Sequence, residues 1–370
     1  MLSLQPLDSA DGAAAYYLDV VNYYENDSKS VRWLGDGAKI LGIHGQAVEK
    51  EQMIALLKGI LPDGTQLGRI DKDGIHHRPG FDMTLTAPKS FSILLESGAD
   101  PRLGEVFDKA VEWFVEEMEK EFAQARQLVD GKIEYIDTRN LVIAAFRQPS
   151  SRANDPNSHT HLVVQNMTHC PDGKWRSLAS DMDGQKGVVE QIMKHHIYGG
   201  LKFRNKLANL TKELGYQLAS DGDGLWEIQS APEQVLTHFS KRRESIEALL
   251  DEKGWSGAKA SSIAAQKTKL DKEIIDYEKW KEDIIKECQE MGFDPHQLVA
   301  SSYKPQKNLF QTLKENIVER FYGKDNIEMT HARESVYVAI ESISQQHAVF
   351  EERELKKEAL KYVIASNKII

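Results

Sequence analysis

The sequence predicts an α+β fold, in which a central antiparallel sheet with packed helices is followed by a helical region. Segments typical of strands and of helices alternate irregularly through residues 1–230, without the strand–helix–strand repeat of parallel sheets. Two strand-like runs, 133–148 and 159–169, are separated only by a polar turn, which favours antiparallel pairing. Beyond Pro232 the sequence is charged and has helical periodicity.

The first half of the sheet domain is predicted to contain two helices and one strand. Residues 9–26 favour a helix with Ser9 as its N-cap. The Pro-Gly break in RPGFDMTLTA introduces a strand within 78–87. Apolar residues recur at helical spacing over 103–127, which predicts a long amphipathic helix.

The second half begins with the two strand-like runs and continues with shorter elements. Asp172-Gly173 predicts a tight turn into the short strand KWRSL. Residues 186–215 predict one long helix that ends at Gly215, and residues 216–228 predict a final hairpin.

The change of character after Pro232 gives a domain prediction. We expect a catalytic domain over 1–230, a helical flap over 231–300 and a helical C-terminal segment over 301–370, with SSYKPQKN as a linker. The sequence contains no GxxxxGK[ST] phosphate-binding loop.

Charge and cysteine usage restrict the possible functions. The chain has 47 Lys and Arg against 57 Asp and Glu, a formal net charge of -10, which argues against a nucleic-acid partner. A locally basic cleft would still bind DNA, because salt screens charges over about 8–10 Å. Two distant cysteines without a CxxC pattern indicate neither a disulfide framework nor a cysteine-based zinc site. No signal peptide or membrane span is evident, so we expect a soluble, cytosolic protein.

The motif His159-Thr160-His161 opens the second strand-like run. Residues i and i+2 of a strand point to the same face, so both imidazoles could share a metal ion. Antiparallel pairing with the preceding strand would bring Gln148 beside them as a third, weaker ligand. Such a donor set suits Mn²⁺ or Mg²⁺, and also Zn²⁺ or Ni²⁺ in vitro. The alternatives are two surface histidines and an exposed turn glutamine.

Two tyrosine pairs, Tyr16-Tyr17 and Tyr23-Tyr24, lie seven residues apart in the predicted N-terminal helix. Each member therefore shares a helix face with its counterpart. A positioned phenol is a known covalent nucleophile, and two pairs would allow two successive strand transfers. The alternative is ordinary amphipathic packing of aromatic residues.

Asp82, in the predicted strand 78–87, is the candidate acidic residue. A strand carboxylate can orient a metal-binding imidazole by accepting its second ring proton, or it can act as a general base. It can also be a purely structural hydrogen-bonding partner.

Taken together, these motifs resemble the MobF-type conjugative relaxases of the HUH endonuclease superfamily. The resemblance covers about residues 1–300, in the order and approximate spacing of that family. It rests on these segments: MLS, AAAYYLDVVNYY, RPGFDMTLTAPKSFS, RNLVIAAFR, SSRANDPNSHTHLVVQNMT, DGKWRSL, KELGYQL and FSKRRESIEALL. A weaker similarity at 338–360 is to the segment that leads towards a helicase region, so this chain is expected to be either truncated or a form without its helicase.

The resemblance implies roles for individual residues. Tyr16 is the nicking nucleophile, Tyr23 or Tyr24 the second one, and Tyr17 supports the site. His159 and His161 match two metal ligands, and Asp82 the acidic residue beside them. One departure is Gln148, which stands where the family commonly has a third histidine.

The resemblance also implies a reaction and its partners. A metal-assisted transesterification in single-stranded DNA would give a 5′-phosphotyrosine and a free 3′-hydroxyl, so that the strand can be rejoined. The implied partners are single-stranded or hairpin DNA of a transfer origin, relaxosome accessory proteins and a type IV secretion coupling protein. A monomeric bacterial cytoplasmic protein, able to enter the recipient with the DNA, is implied as well.

DNA would need basic contacts and aromatic platforms. Trp175 or Trp33 could stack on bases, and the basic turn containing Arg152 is the strongest candidate for phosphate binding. The full set of candidate phosphate ligands is Arg69, Arg78, Lys89, Arg147, Arg152, Lys174, Arg176 and the run Lys241-Arg242-Arg243.

Two other functions remain open at this point. A DNA-binding initiator would recognise an origin hairpin without cutting it, a reading that Gln148 favours. A metal-dependent phosphohydrolase would use water and be indifferent to all four tyrosines.

Overall fold

The computed structural model describes residues 2–21, 31–72, 74–180, 187–220, 222–268, 276–302, 324–344 and 351–365. It confirms the α+β fold and its central antiparallel sheet. The chain forms two compact units that interleave in sequence. The first comprises residues 1–86, 108–148 and 159–203, and the second comprises 87–107, 149–158 and 204–370.

The central sheet has five strands in the order β1-β5-β9-β8-β2. Strand β5 pairs with β1 on one side and β9 on the other, so that Thr84 lies opposite His161. The strands are β1 (Leu2–Pro6), β2 (Val31–Leu34), β5 (Gly80–Thr86), β8 (Ile143–Ser150) and β9 (Pro156–Gln165).

One face of this sheet is covered by short N-terminal helices. Their apolar residues and those of the sheet form a single core cluster with Trp33, Phe146 and Val163. Burial of this face follows from the alternation of side chains along each strand. The helices are α1 (Ala10–Val21), α2 (Asp36–Ile40) and α3 (Lys50–Leu57).

The opposite face carries the long helix α5 (Arg102–Phe122). Arg32 of β2 and Arg147 of β8 both pair with Asp108 of this helix, at 3.8 and 3.3 Å. Behind it, Lys202 of α7 (His196–Glu213) contacts Glu117 and Glu121. The long helix predicted over 186–215 is two helices in the structure, because α6 (Val188–Lys194) ends before His195 and α7 begins after it.

The predicted helix 103–127 is wrong in its last turn. Residues Gln124–Val129 form strand β6, which pairs with β7 (Lys132–Asp137) around an Asp130-Gly131 turn. Both turn residues have positive φ, 48° and 77°, the conformation that a two-residue hairpin requires. The run 133–148 accordingly supplies two strands, of which only β8 enters the central sheet.

Three further hairpins complete the strands. The predicted Asp172-Gly173 turn joins β10 (Thr168–His169) to β11 (Trp175–Arg176), and the predicted final hairpin consists of β12 (Leu218–Ser220) and β13 (Trp226–Ile228). The hairpin of β3 (Arg69–Asp71) and β4 (Gly74–His76) has no counterpart in the sequence analysis.

The second unit is mostly helical, as its sequence predicts. Within it, Lys241 lies 3.5 Å from Asp155, and the Trp280 indole donates to the Asn154 carbonyl, so two of its helices contact the turn between β8 and β9. Its helices are α4 (Lys89–Glu96), α8 (Glu233–His238), α9 (Lys241–Lys253), α10 (Ala258–Lys267), α11 (Tyr277–Glu290), α12 (Pro295–Ser302), α13 (Lys324–Ser344) and α14 (Glu352–Ala365).

The first two residues of the predicted linker, Ser301 and Ser302, belong to the end of α12, and the remainder of the linker lies outside the described residues. Among the helices that the structure describes, none has the length and apolar character needed to cross a bilayer.

Candidate active site and DNA-binding cleft

Helix α1 sets the positions of the first tyrosine pair. Its N-terminus is capped as predicted, because the Gly12 amide donates to Ser9 Oγ at 3.1 Å. Ala10, Ala13, Ala14 and Tyr17 form the buried stripe of the helix. Small alanines let the helix approach the sheet closely, and this brings the rings at its C-terminal end over the central strands.

Tyr17 lies inside the core, with 5% of its surface exposed. Its ring stacks on Phe146 at a centroid distance of 5.3 Å and lies 5.3 Å from the His161 ring. Burial, together with the charge and hydrogen bond of Asp82, raises the pKa of the Tyr17 phenol far above its usual value. Because its ring is enclosed by the core, Tyr17 has little surface with which to meet a substrate.

Tyr16 has the opposite environment. It is 38% exposed, and its ring meets Tyr17 and His161 edge-on, at centroid distances of 4.9 and 6.5 Å. Of the two tyrosines, Tyr16 is therefore the one that reaches solvent beside the histidines.

The histidine pair lies on β9 with both rings on the face covered by α1. Their centroids are 5.2 Å apart, as the alternation of strand side chains predicts. His161 Nδ1 donates to Asp82 Oδ2 at 2.8 Å, and Thr84 Oγ1 donates to the same carboxylate oxygen at 3.3 Å. With the proton on Nδ1, the Nε2 lone pair of His161 is available to a cation.

Gln148 is a buried strand residue with 3% exposure, so the exposed-turn reading of this glutamine is wrong. The backbone N–H of Gln165, at the end of β9, donates to the backbone carbonyl of Val142, which directly precedes β8. An antiparallel register continued from this bond brings Gln148 opposite His159. Gln148 also shares its strand face with Phe146, on which Tyr17 stacks.

His159, His161 and Gln148 form a donor set that suits a divalent cation bound with modest affinity. The donor set is two imidazoles with an amide oxygen, and the Asp82–His161 bond is the usual device that orients a metal-binding ring. Asp82 Oδ1 is buried and makes no hydrogen bond. A buried polar atom of this kind indicates that the site can accept a further polar group or ion. Within the described ranges no group of three or more His, Cys, Asp or Glu is arranged to hold a metal ion, so Gln148 stays the candidate third ligand.

The second tyrosine pair, Tyr23 and Tyr24, lies outside the described residues. Their predicted part in a second strand transfer stays a prediction.

A cleft of about 1010 Å³ opens elsewhere in the first unit. Its walls come from the β3–β4 and β10–β11 hairpins and from the base of β6, and they include four arginines with one tryptophan. These residues are Arg69, Arg78, Arg126, Arg176 and Trp175.

The arginines of the cleft differ in their pairing. Arg69 contacts Asp71 at 2.7 Å, and Arg176 forms two bonds with Asp172 at 2.7 and 2.6 Å. Among the residues the structure describes, no carboxylate pairs with Arg78 or Arg126. Those two guanidiniums can meet phosphates without breaking an ion pair.

Other predicted DNA contacts lie away from this cleft. Trp33 is fully buried, with its indole bonded to Gln52, so its prediction as a base-stacking residue is wrong. Arg147 pairs with Asp108 of α5 on the other face of the sheet. Burial lowers the pKa of Lys89 to about 8, and its ammonium donates to the Pro156 carbonyl.

The remaining predicted basic contacts have various surroundings. Lys174 is exposed beside the β10–β11 turn, and Arg152 is half-buried in the β8–β9 turn. In α9, Arg242 donates to the Thr268 and Ala265 carbonyls, while Arg243 pairs with Glu247.

Two residues of the site were missed by the sequence analysis. Thr84 was detectable, because it stands two residues after Asp82 in a predicted strand and therefore shares its face. Arg126 was hidden because its segment continued the helical pattern of α5, and the Asp130-Gly131 turn was the signal that could have revealed its hairpin.

The comparisons with known proteins agree with this geometry. The family model of the TrwC relaxase matches residues 10–291. The multifunctional conjugation protein TraI of Escherichia coli (strain K12) is 37% identical over 295 residues, which are 80% of this chain and 16% of that protein. The chain thus spans a small part of the curated relatives that it matches.

Two solved structures are similar over 80% of this chain and 100% of theirs. One is the metal-bound conjugative relaxase TrwC in complex with oriT DNA, with a TM-score of 0.70 and 32% identity. The other is TrwC complexed with a 27-mer DNA comprising the recognition hairpin and the cleavage site, with a TM-score of 0.69 and 31% identity. The family match, the shared fold and the paired histidines beneath a tyrosine helix lead to one conclusion: this chain belongs to the TrwC relaxase family.

Proposed function

We propose that this chain nicks and rejoins one strand of DNA at a plasmid transfer origin, with Tyr16 as the nucleophile. The main support for this role is that one tyrosine of the adjacent pair is exposed to solvent and the other is buried. Tyr16 reaches solvent beside His161, whereas Tyr17 is held in the core by Phe146 and Asp82.

In the proposed reaction the Tyr16 phenol oxygen attacks phosphorus. A bond forms between that oxygen and phosphorus while the bond from phosphorus to the 3′ oxygen breaks. The phenol loses its proton and the 3′ oxygen gains one, so the products are a 5′-phosphotyrosine and a 3′-hydroxyl. One phosphodiester replaces another, which is why the reverse step can reseal the strand.

His159, His161 and Gln148 are the residues that would hold a divalent cation, for which we propose Mg²⁺ or Mn²⁺, with Zn²⁺ or Ni²⁺ as substitutes in vitro. When bound, such a cation stabilises negative charge on the phosphate oxygens. Asp82 keeps the His161 ring oriented, and Thr84 reinforces that carboxylate. The metal-bound state of TrwC supports this assignment.

We further propose that the arginine cleft contacts the DNA. Phosphates neutralise unpaired arginines at little cost, and Trp175 offers a ring on which a base can stack. The acidic surface elsewhere does not prevent this, because screening limits its reach to about 8–10 Å. The TrwC complex with a DNA comprising the recognition hairpin and the cleavage site supports hairpin-containing DNA as the ligand.

The domain assignment stays a proposal: a catalytic domain over 1–230, a helical flap over 231–300 and a C-terminal segment over 301–370. So do the cytoplasmic location, the monomeric state, and the accessory and coupling proteins as partners. The contacts of α9 and α11 with the β8–β9 turn support a helical flap that packs on that turn.

The test uses a random-sequence single-stranded DNA library with Mn²⁺ or Mg²⁺. Protein-linked strands are recovered under SDS by phenol partition and sequenced. We expect linked strands that share one 5′ sequence, with none in EDTA and none for Tyr16→Phe, while Tyr17→Phe still forms the adduct.

Each other outcome favours another function. Tight binding of library strands without any adduct would favour a non-cleaving initiator. Cleavage without a protein-linked product, and with Tyr16→Phe as active as the wild type, would favour a phosphohydrolase that uses water.

A further inference from the structure

Ser158, the residue directly before the candidate metal ligand His159, is fully buried, and each of its polar groups is hydrogen-bonded. Its backbone N–H donates to Ser92 Oγ at 3.0 Å, and its carbonyl accepts the Ala87 amide at 3.0 Å. Its hydroxyl donates to Glu96 Oε1 at 2.5 Å. All three partners lie on α4 or just before it, so this segment fixes the backbone that enters His159.

Glu96 is an interior carboxylate, with 3% of its surface exposed. Burying a carboxylate costs free energy unless its oxygens are hydrogen-bonded, and an apolar side chain would fill the same space without that cost. One oxygen accepts the Ser158 hydroxyl, and the other accepts the Tyr277 hydroxyl at 3.2 Å. The carboxylate therefore joins the residue next to His159 to a residue of the proposed flap.

Tyr277 belongs to the first turn of α11, which also contacts the β8–β9 turn. In the same helical turn the Trp280 indole donates to the Asn154 carbonyl at 2.8 Å, and its ring lies 5.7 Å from that of Tyr277. The start of α11 thus meets the segment 154–158 at both ends, directly at Asn154 and through Glu96 at Ser158. All of these residues belong to the second compact unit.

We propose that Ser158, Glu96 and Tyr277 form a positioning network for the metal ligand His159. They touch neither the cation nor the DNA, and they act through the backbone of Ser158, so that α11 helps to set the orientation of the His159 ring. Groups beyond the ligands themselves affect metal affinity in this way. The inference rests on the proposed metal-assisted nicking function and adds residues that set its cation affinity.

A purely structural role is the competing explanation, and it predicts a loss of stability without a change in cation affinity. The experiment therefore measures Mn²⁺ binding by the DNA-free protein, using electron paramagnetic resonance of free Mn²⁺. The adduct rate at saturating DNA is measured next, as a function of Mn²⁺ concentration. The test variants are Ser158→Ala and Tyr277→Phe, each of which removes one hydroxyl that donates to Glu96.

Each test variant has a matched control in the same compact unit. Tyr216→Phe also removes a bond from a tyrosine hydroxyl to a buried carboxylate, that of Asp100, at 2.7 Å. Ser97→Ala also removes a buried serine hydroxyl, which donates to the Leu94 carbonyl at 3.3 Å. Thermal unfolding of all four variants measures the structural cost of each change separately from its effect on cation affinity.

We expect both test variants to bind Mn²⁺ about three- to tenfold more weakly than the wild type, which is less than the roughly 10–100-fold loss for a group that touches a ligand directly. Their adduct rates should recover when the Mn²⁺ concentration is raised by the same factor. Both controls should bind Mn²⁺ like the wild type, whatever their melting temperatures.

Wild-type Mn²⁺ affinity in Tyr277→Phe, or an equal loss in Tyr216→Phe, would overturn the proposal. If Ser158→Ala does not fold, Tyr277→Phe decides the outcome alone, since it removes only a hydroxyl from a half-buried ring.

Failure of the proposed function is distinguishable from failure of this inference. A wild-type protein that binds no Mn²⁺ would refute the proposed metal site and the network together. If the wild type binds Mn²⁺ and forms adducts, while both test variants bind Mn²⁺ equally well, only the network is refuted.

Discussion

In the tyrosine–histidine site the functional side chains lie on a few neighbouring elements of the central sheet and α1, and most of them are buried. In the arginine cleft they come from three hairpins and from the segment between β4 and β5, and three of the four arginines are exposed. Asp82, Tyr17 and His161 constrain one another through short contacts, whereas Arg78 and Arg126 have no partner carboxylate among the described residues. A change in the first region should therefore alter the chemical step, and one in the second region should alter affinity and its salt dependence.

The largest effect is expected at the histidine pair. His161→Ala removes a proposed metal ligand and leaves Asp82 buried without the imidazole donor that it faces. We expect adduct formation to fall about a thousandfold or more at any metal concentration. The rate of adduct formation on the recovered DNA sequence measures this, with the exposed His44→Ala as control. Retention of near-normal rates in His161→Ala would place the reaction elsewhere.

A smaller effect is expected for Asp82→Asn. The amide keeps the shape but loses the charge that fixes the Nδ1 proton of His161, so we expect a 10–100-fold loss of metal affinity or rate. Thr84→Val should have a weaker effect in the same direction, because it removes only one of the bonds to Asp82. Metal titrations of the adduct rate separate the two variants. If the metal-titration curve of Asp82→Asn coincides with that of the wild type, Asp82 does not orient the His161 ring.

The cleft should respond in affinity alone. Arg78→Gln with Arg126→Gln should weaken DNA binding about tenfold at moderate salt and lower the slope of log K against log salt by roughly two. Adduct rates at saturating DNA should be unchanged. Lys39→Gln, which removes an exposed lysine paired with Asp36, is the control. A drop in the saturated rate without a change of salt slope would contradict the division between the two regions.

The smallest effect on activity is expected at Glu119, which is buried on α5 and accepts the amides of Asp36 and Leu141 at 2.7 Å. Burial raises the pKa of this carboxyl to about 7. Because the folded state then binds its proton more tightly than the unfolded state, stability should fall as pH rises from about 4.5 to 7. Glu119→Gln keeps an oxygen acceptor and should remove this slope.

Above pH 7 the unfolding free energy of Glu119→Gln should exceed that of the wild type by about 1–3 kcal/mol, and at pH 4 the two values should be nearly equal. Urea unfolding at a series of pH values measures it. Parallel pH profiles for the two proteins would contradict the raised pKa. Adduct rates at pH 7.5 should be the same, since Glu119 touches neither the site nor the cleft.

Local sequence patterns were sufficient to predict the tyrosine–histidine site. The spacing of His159 and His161 in a strand places both rings on one face, and Ser9 marks the start of the helix that carries Tyr16. Asp82 was predicted as the partner of an imidazole, and its contact with His161 has the expected form. Alternation and helix periodicity act over a few residues, so they can be read from one sequence.

The cleft could not be predicted in the same way, because its residues are brought together only by tertiary structure. Arg126 was hidden by a helical pattern that runs past the true end of α5, although the Asp130-Gly131 turn signalled a hairpin. The burial of Trp33 depends on packing with α3, which composition alone does not reveal. The predicted helix divides at His195, where the neighbouring His196 ring contacts the Met193 carbonyl at 2.7 Å, a contact that helical periodicity does not reveal.

The most direct test of the central claim is tandem mass spectrometry of the DNA-linked peptide after reaction with single-stranded DNA. The exposed position of Tyr16 beside His161, and the buried position of Tyr17, predict a phosphodiester on Tyr16 in the wild-type protein. A first-step adduct on Tyr17, or one that forms unchanged in Tyr16→Phe, would contradict it.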